Sequence, residues 1–187
     1  MSKNDNIDAI KIKALNCKEC DLFKTRNNPV FGEGFLDSNI LFIGEAPGKN
    51  EDILGKPFVG RAGKILDELL DNIGLKRNDV YISNIIKCRP PKNRNPSRKE
   101  ITTCSFYIDN QINIIKPKII VPLGRIAISY IFDKYDLKFE KINNIHGKIY
   151  AINNLKIIPI YHPAAVIYNN KLMNAIKEDF KIIKQNI

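Results

Sequence analysis

Four short apolar runs limit what this chain can fold into: NILFIG (39–44), DVYISN (79–84), KIIVPLG (118–124) and LKIIPIYH (155–162). Each is rich in β-branched residues and almost continuously hydrophobic, the pattern of strands covered on both faces. Longer helix-like segments separate them: AGKILDELLDNIGL (62–75), SRKEITTCSFYIDNQINII (97–115) and RIAISYIF (125–132), with a last helix expected over 171–185. Ser97 precedes Glu100 at the capping-box spacing, which marks the start of the second of these. Alternating strands and helices predict an α/β fold with a parallel sheet and helices on both faces. Ligands of such sheets bind beyond the carboxyl ends of the strands. That rule brings together residues 44–48, Asn84 with the loop after it, and residues 162–165.

The first of these ends lies in FIGEAPGKNEDILGKPFVGRAGKILDELL (42–70), a strand, a glycine-rich turn and a helix. It contains neither G-x-G-x-x-G nor G-x-x-x-x-G-K-[ST], so a nucleotide phosphate is not its evident ligand. The 187 residues suit one domain, 1–187, with no internal repeat or linker. No run of about 18 apolar residues is present, so a membrane span is not expected. The first residues lack an apolar signal region, and a cytoplasmic protein is expected. No feature demands an oligomer, which makes a monomer the expectation.

Thirty Lys and Arg against twenty Asp and Glu give a net charge of +10 and a pI near 9.4. A pI above about 9 is the electrostatic footprint of a nucleic-acid partner, although lysine richness can also be solvated surface. The four cysteines form a second constellation: Cys17-x2-Cys20, then Cys88 and Cys104 with fifteen residues between them. In a reducing compartment these read as metal ligands or reactive thiols rather than disulfides. Cys104, on an apolar helix face, also reads as a small buried hydrophobe. Without a second C-x2-C, a cuboidal iron–sulfur cluster is more natural than a zinc ribbon, while spacing alone does not separate zinc from iron.

Five blocks, CKEC, GEAPGKNEDILGKPFVGRAG, NIIKCRPPKNR, PLGRIA and YHPAA, run in order from residue 17 to 165. Together they resemble the family 4 uracil-DNA glycosylases, the iron–sulfur type. The resemblance implies a three-layer α/β/α sandwich around a four-stranded parallel central sheet. It implies a [4Fe–4S] cluster on Cys17, Cys20, Cys88 and Cys104. It also implies hydrolysis of the N-glycosidic bond of deoxyuridine in double- or single-stranded DNA. A base inside the duplex hides that bond, so the nucleotide must rotate out into a pocket.

The loop after the first strand would then receive uracil. Backbone N–H groups around Glu45 and Ala46 would donate to O2, where charge grows as the base leaves. Phe58 would supply a stacking face; the plainer reading is a core aromatic. The Asn84 amide can donate to O4 and accept from N3–H, a pattern cytosine reverses, whereas a turn asparagine would bond its own backbone. His162 matches the family histidine that bonds O2. Family 1 enzymes carry an aspartate where this chain has Ala46, so the water activator is sought among Glu45, Glu51 and Asn93. Catalytic roles are thus expected of Glu45, His162, Glu51 and Asn93.

DNA phosphates are expected at Arg61, where a helix begins, and at Arg89, Lys92 and Arg94 in the basic loop KCRPPKNRNPSRK (87–99). Val166 or Ile167 would fill the space left by the flipped base, and His146 reads as a loop residue. Two alternatives stand beside this reading. One is a relative that traps uracil sites covalently through a histidine in the basic loop, but NRNPS has none. The other is a non-catalytic, metal-stapled nucleic-acid-binding protein.

Overall fold

The computed structural model describes residues 2–187. The elements in chain order are α1 (Lys3–Leu15), β1 (Glu33–Gly34), β2 (Ile40–Gly44), α2 (Lys49–Leu54), α3 (Arg61–Asn72), β3 (Tyr81–Asn84), α4 (Arg98–Ile115), β4 (Ile119–Pro122) and α5 (Arg125–Lys134). They continue with α6 (Ile142–Ile145), β5 (Tyr150–Ile152), β6 (Leu155–Ile157), α7 (Ala165–Tyr168) and α8 (Leu172–Gln185). The sheet runs β1-β3-β2-β4-β6-β5.

The inner four strands are parallel and are the four expected from sequence. The sheet nevertheless has six strands, because β1 and β5 add antiparallel edges. These edges are two and three residues long, too short to carry a periodic signal. Every residue of β2, β3 and β4 is buried. Their side chains divide between two cores. Leu41, Ile43, Tyr81 and Ile120 face the layer that holds α1, α4 and α5. Ile40, Phe42, Ile82 and Val121 face the layer that holds α3 and α8. Phe42 and Phe180 stack across this second layer at 5.8 Å. The three-layer sandwich follows from strands that are apolar on both faces.

Helix α4 begins as its sequence indicates. Glu100 N donates to Ser97 Oγ at 3.2 Å, and Ser97 N donates to Glu100 Oε2 at 2.7 Å. Strand β2 pairs with β3 on one side and with β4 on the other. The crossover through α3 lies in one layer and that through α4 in the other. Such a reversal of winding opens a crevice at the carboxyl ends of the strands.

Candidate active site

A cavity of about 550 Å³ occupies that crevice, and residues from three strand ends line it: Glu45 and Ala46, Asn84, and His162. Glu51, Phe58, Asn93, Arg94 and Tyr168 complete much of the wall. Of the residues singled out from sequence, the structure brings Glu45, Ala46, Glu51, Phe58, Asn84, Asn93, Arg94 and His162 to this one space. Arg61, Arg89 and Lys92 lie outside the lining.

Phe58 is buried, yet its backbone sits in the left-handed region at φ 52°. For a bulky residue that conformation costs about 1–3 kcal/mol and persists only where neighbours impose it. Four contacts do so. Glu51 Oε1 accepts from Val59 N (2.9 Å) and Gly60 N (2.7 Å). Arg77 donates to the carbonyls of Phe58 (3.0 Å) and Pro57 (2.6 Å), and Glu33 and Asp67 hold its guanidinium at 3.0 Å each. Gly63 must lack a side chain, because a Cβ there would overlap the Phe58 carbonyl. Gly44 must lack one too, because a Cβ would overlap Asn84 Oδ1 and lie 2.7 Å from the Phe58 ring. Glu51, sought as a water activator, thus spends one carboxylate oxygen on the loop that carries Phe58.

His162 stacks on Phe58 with ring centroids 5.6 Å apart and planes 26° from parallel. Gly124, at φ 82°, makes room for it, since a Cβ there would stand 2.9 Å from His162 Cβ. This is why the PLGRIA block carries its glycine. The Ala164 N–H donates to His162 Nδ1 at 3.1 Å. Nδ1 therefore carries no proton, and the neutral ring carries its N–H at Nε2. Burial pushes the imidazole down to about 4, against a weaker opposing pull from Glu51.

Asn84 is buried at the end of β3, and among the described residues its side-chain amide bonds no protein group, while its backbone carbonyl accepts from Lys87 Nζ. A turn asparagine bonding its own backbone would not look like this. Burial raises the Glu45 carboxyl, opposed by Arg125, the direction that suits a base. Asn93 Oδ1 accepts from Arg89 Nε at 2.8 Å. An amide cannot take a proton from water at neutral pH, so Asn93 can orient water but not ionise it.

The cysteines converge as well. Cys17, Cys20, Cys88 and Cys104 line one small cavity with Arg26, Lys87 and Tyr107. Arg26 Nη1 donates to Cys88 Sγ at 3.0 Å, and Lys87 N donates to Cys104 Sγ at 3.2 Å. Burial pushes the Cys20 and Cys88 thiols up and Cys104 to about 12. Thiols in such a place become thiolates when a cation stands among them. Among the described residues no three His, Cys, Asp or Glu side chains stand close enough to share a single metal ion. A cuboidal cluster places each thiolate on a different iron, so it accepts ligands spread around one cavity. The donor set fits such a cluster, with N–H donors already aimed at two sulfurs.

Several expectations change. The basic loop offers fewer free cations than its composition suggests. Lys87 is fully buried, and Arg94 forks onto Glu100 at 2.7 and 2.8 Å, holding that carboxyl near 2. Arg89 is half-buried and tied to Asn93, whereas Lys92, Arg98 and Lys99 are exposed. Val166 cannot fill a gap in DNA, because it is buried in the core layer with α3 and α8. Tyr168 is the exposed residue there, 90% accessible and lining the cavity. His146 is more than a loop residue: its Nδ1 lies 2.9 Å from Asp179, and its ring is 4.7 Å from that of Tyr161. Sequence reasoning missed Tyr168 and Lys87. YHPAAVIY placed Tyr168 near the site, but its exposure depends on how α7 turns.

Comparison with known proteins assigns the chain to a family. The model of the uracil DNA glycosylase superfamily matches residues 31–183. The chain is 48% identical over 186 residues to a type-4 uracil-DNA glycosylase of Saccharolobus solfataricus, covering 97% of this chain and 86% of that protein. It is 46% identical over 183 residues to the Archaeoglobus fulgidus type-4 enzyme, with 96% and 92% covered. A Thermotoga maritima type-4 enzyme is 39% identical over 188 residues, with 100% and 97% covered. The chain belongs to the uracil-DNA glycosylase superfamily, in its type-4 branch.

The state of His162 has a measurable consequence. Unfolded histidine takes up a proton near pH 6.5, whereas His162 in the folded chain does so only near 4. The unfolded state binds more protons between these values, so the His162 contribution to stability is lost as pH falls through that window. A pH series of imidazole NMR signals should show His162 neutral at pH 6 with its proton on Nε2. His162→Gln should flatten the fall in stability between pH 6.5 and 4. A cationic His162 at pH 6 would contradict the tautomer.

Proposed function

We propose that this chain is a DNA N-glycosylase that excises uracil from DNA and so initiates base excision repair. What supports the reading is the meeting of three features in one cavity: the Asn84 amide, unpartnered among the described residues, the Phe58 ring, and a neutral His162 with its proton on Nε2. A flipped uracil stacks on Phe58. Asn84 donates to O4 and accepts from N3–H, which cytosine cannot match. The His162 Nε2–H and the amides around Glu45 and Ala46 donate to O2. As the C1′–N1 bond breaks, its electron pair stays on uracil N1, and the growing charge spreads to O2 where these donors meet it. Water adds to the cationic C1′, and its proton passes to Glu45, whose carboxyl burial has raised. Asn93 orients that water, and Glu51 holds the Phe58 loop.

Strand scission in hot alkali, after incubation with a uracil-containing oligonucleotide, is the expected result. A denaturation-resistant adduct would mean a covalent trap, and an intact strand would mean a binder. Asn84→Asp replaces the donor to O4 with a charged oxygen, a mismatch of about 1–3 kcal/mol or more. Uracil excision should fall at least about tenfold. Excision near the wild-type rate would place the uracil reader elsewhere.

The four cysteines, on this reading, hold a [4Fe–4S] cluster that braces the loop between Cys88 and Cys104 against DNA. Phosphate contacts fall to Lys92, Arg98 and Lys99 with Arg61, and a monomer suffices for the site. Anaerobically purified protein should contain about four iron atoms per chain. Stoichiometric zinc without iron would overturn that assignment.

Tyr168 fills the gap left by the extruded base. A residue with that task matters only where a stack must be opened. Tyr168→Ala should therefore lower excision from duplex DNA by about tenfold or more while leaving single-stranded substrate within about twofold. Equal losses on both substrates would remove Tyr168 from base extrusion.

A further inference from the structure

Among the described residues Lys87 is the only lysine or arginine in the buried interior, with 1% of its surface exposed. Its Nζ donates to Ser83 Oγ at 2.7 Å, to the Asn84 carbonyl at 2.6 Å and to Gln111 Oε1 at 2.8 Å. All three acceptors are uncharged. Burying an ammonium on neutral acceptors is unfavourable relative to an apolar side chain of the same length. Packing alone would be served as well by methionine, so the arrangement calls for another explanation.

Its position supplies one. Lys87 lies three residues after Asn84 and one before Cys88. Helix α4 grips it at both ends: Cys104 Sγ accepts from the Lys87 backbone N–H at 3.2 Å, and Gln111 accepts from Nζ. Cys104 and Gln111 are seven residues apart, two turns along one helix face. Gln111 is itself fixed, donating to the Phe31 carbonyl at 2.8 Å and accepting from Ser83 Oγ at 2.8 Å. The chain between Asn84 and Lys87 is pinned by Ile85 N to Gly44 O and Ile86 N to Glu45 O, both at 3.0 Å. The bond from Nζ to the Asn84 carbonyl closes this turn and fixes the last peptide of β3, from which the Asn84 amide projects over Gly44.

We propose that Lys87 is a positioning residue that sets the Asn84 amide for uracil and links it mechanically to the four-cysteine cavity. The inference rests on the reading of Asn84 as the uracil reader. A lysine that acts through Asn84 has nothing left to act on once that amide is gone, which distinguishes it from a lysine that merely supports the fold.

A double-mutant cycle on the full, iron-loaded chain tests this, with Lys87→Met, Asn84→Ala and their combination. The readouts are kcat/KM on a uracil oligonucleotide and free-uracil affinity by calorimetry. Lys87→Met should lower both by about tenfold or more in the parent chain, yet by less than about twofold in the Asn84→Ala chain. Cooperative unfolding and visible absorbance should be retained. Should Lys87→Met fail to fold, Ser83→Ala removes one acceptor of Nζ and should give a loss of about threefold that likewise vanishes without the Asn84 amide. Equal losses in both backgrounds, or no loss in the parent chain, overturn the proposal. Asn84→Ala with parent-like activity and affinity would instead overturn the reading of Asn84 itself.

Discussion

The left-handed backbone of Phe58 is the constraint on which the site depends. A phenylalanine at φ 52° does not hold that shape unaided. Here a carboxylate takes two N–H groups on one side of it, and a guanidinium takes two carbonyls on the other. The ring is thereby delivered against His162 and over Gly44, where the Asn84 amide also arrives. The glycines of GEAPG and GRAG therefore serve close approach. Gly44 leaves the floor bare for two side chains, and Gly63 lets the next helix pass the Phe58 carbonyl. Neither needs a phosphate to explain it.

Electrostatics complete what the backbone begins. The cavity holds a neutral imidazole and a carboxyl whose acidity burial has weakened, so the surroundings favour the uncharged form of both. Catalysis of a departing anion needs donors that meet charge as it forms, and a neutral N–H held by a backbone amide needs no reorganisation to do so. Lys92, Arg98 and Lys99, exposed cations of the basic loop, lie outside the cavity lining. The charged residues lining the cysteine cavity are consumed internally: Arg26 on Cys88, and Lys87 on Ser83, Gln111 and the Asn84 carbonyl.

Much of this was legible in the sequence. Runs such as ILFIG are short, rich in β-branched residues and apolar on both faces, the pattern of central strands, and the Ser97–Glu100 spacing announced the start of α4. Cavity residues at strand ends could be placed together because parallel topology leaves little choice about where the ends go. The edges β1 and β5 were not legible, since two or three residues cannot express a period. Lys87 and Arg94 looked like solvent cations because the partners that bury or pair them, Gln111 and Glu100, come from a helix with its own pattern. The pairing of His146 with Asp179 spans 33 residues and leaves no local trace. Long polar side chains are read correctly only after the fold has chosen their neighbours.

On the proposed reading, this cavity recognises uracil through Phe58, Asn84 and His162. A crystal structure of the iron-loaded protein with free uracil, beside a matched crystal with cytosine, tests it most directly. Uracil should stack on Phe58, with O4 and N3 each within about 2.7–3.2 Å of the Asn84 amide and O2 facing His162 Nε2. Cytosine should leave the cavity without an ordered base. Uracil ordered away from the Asn84 amide, or cytosine bound in the same pose, would contradict it.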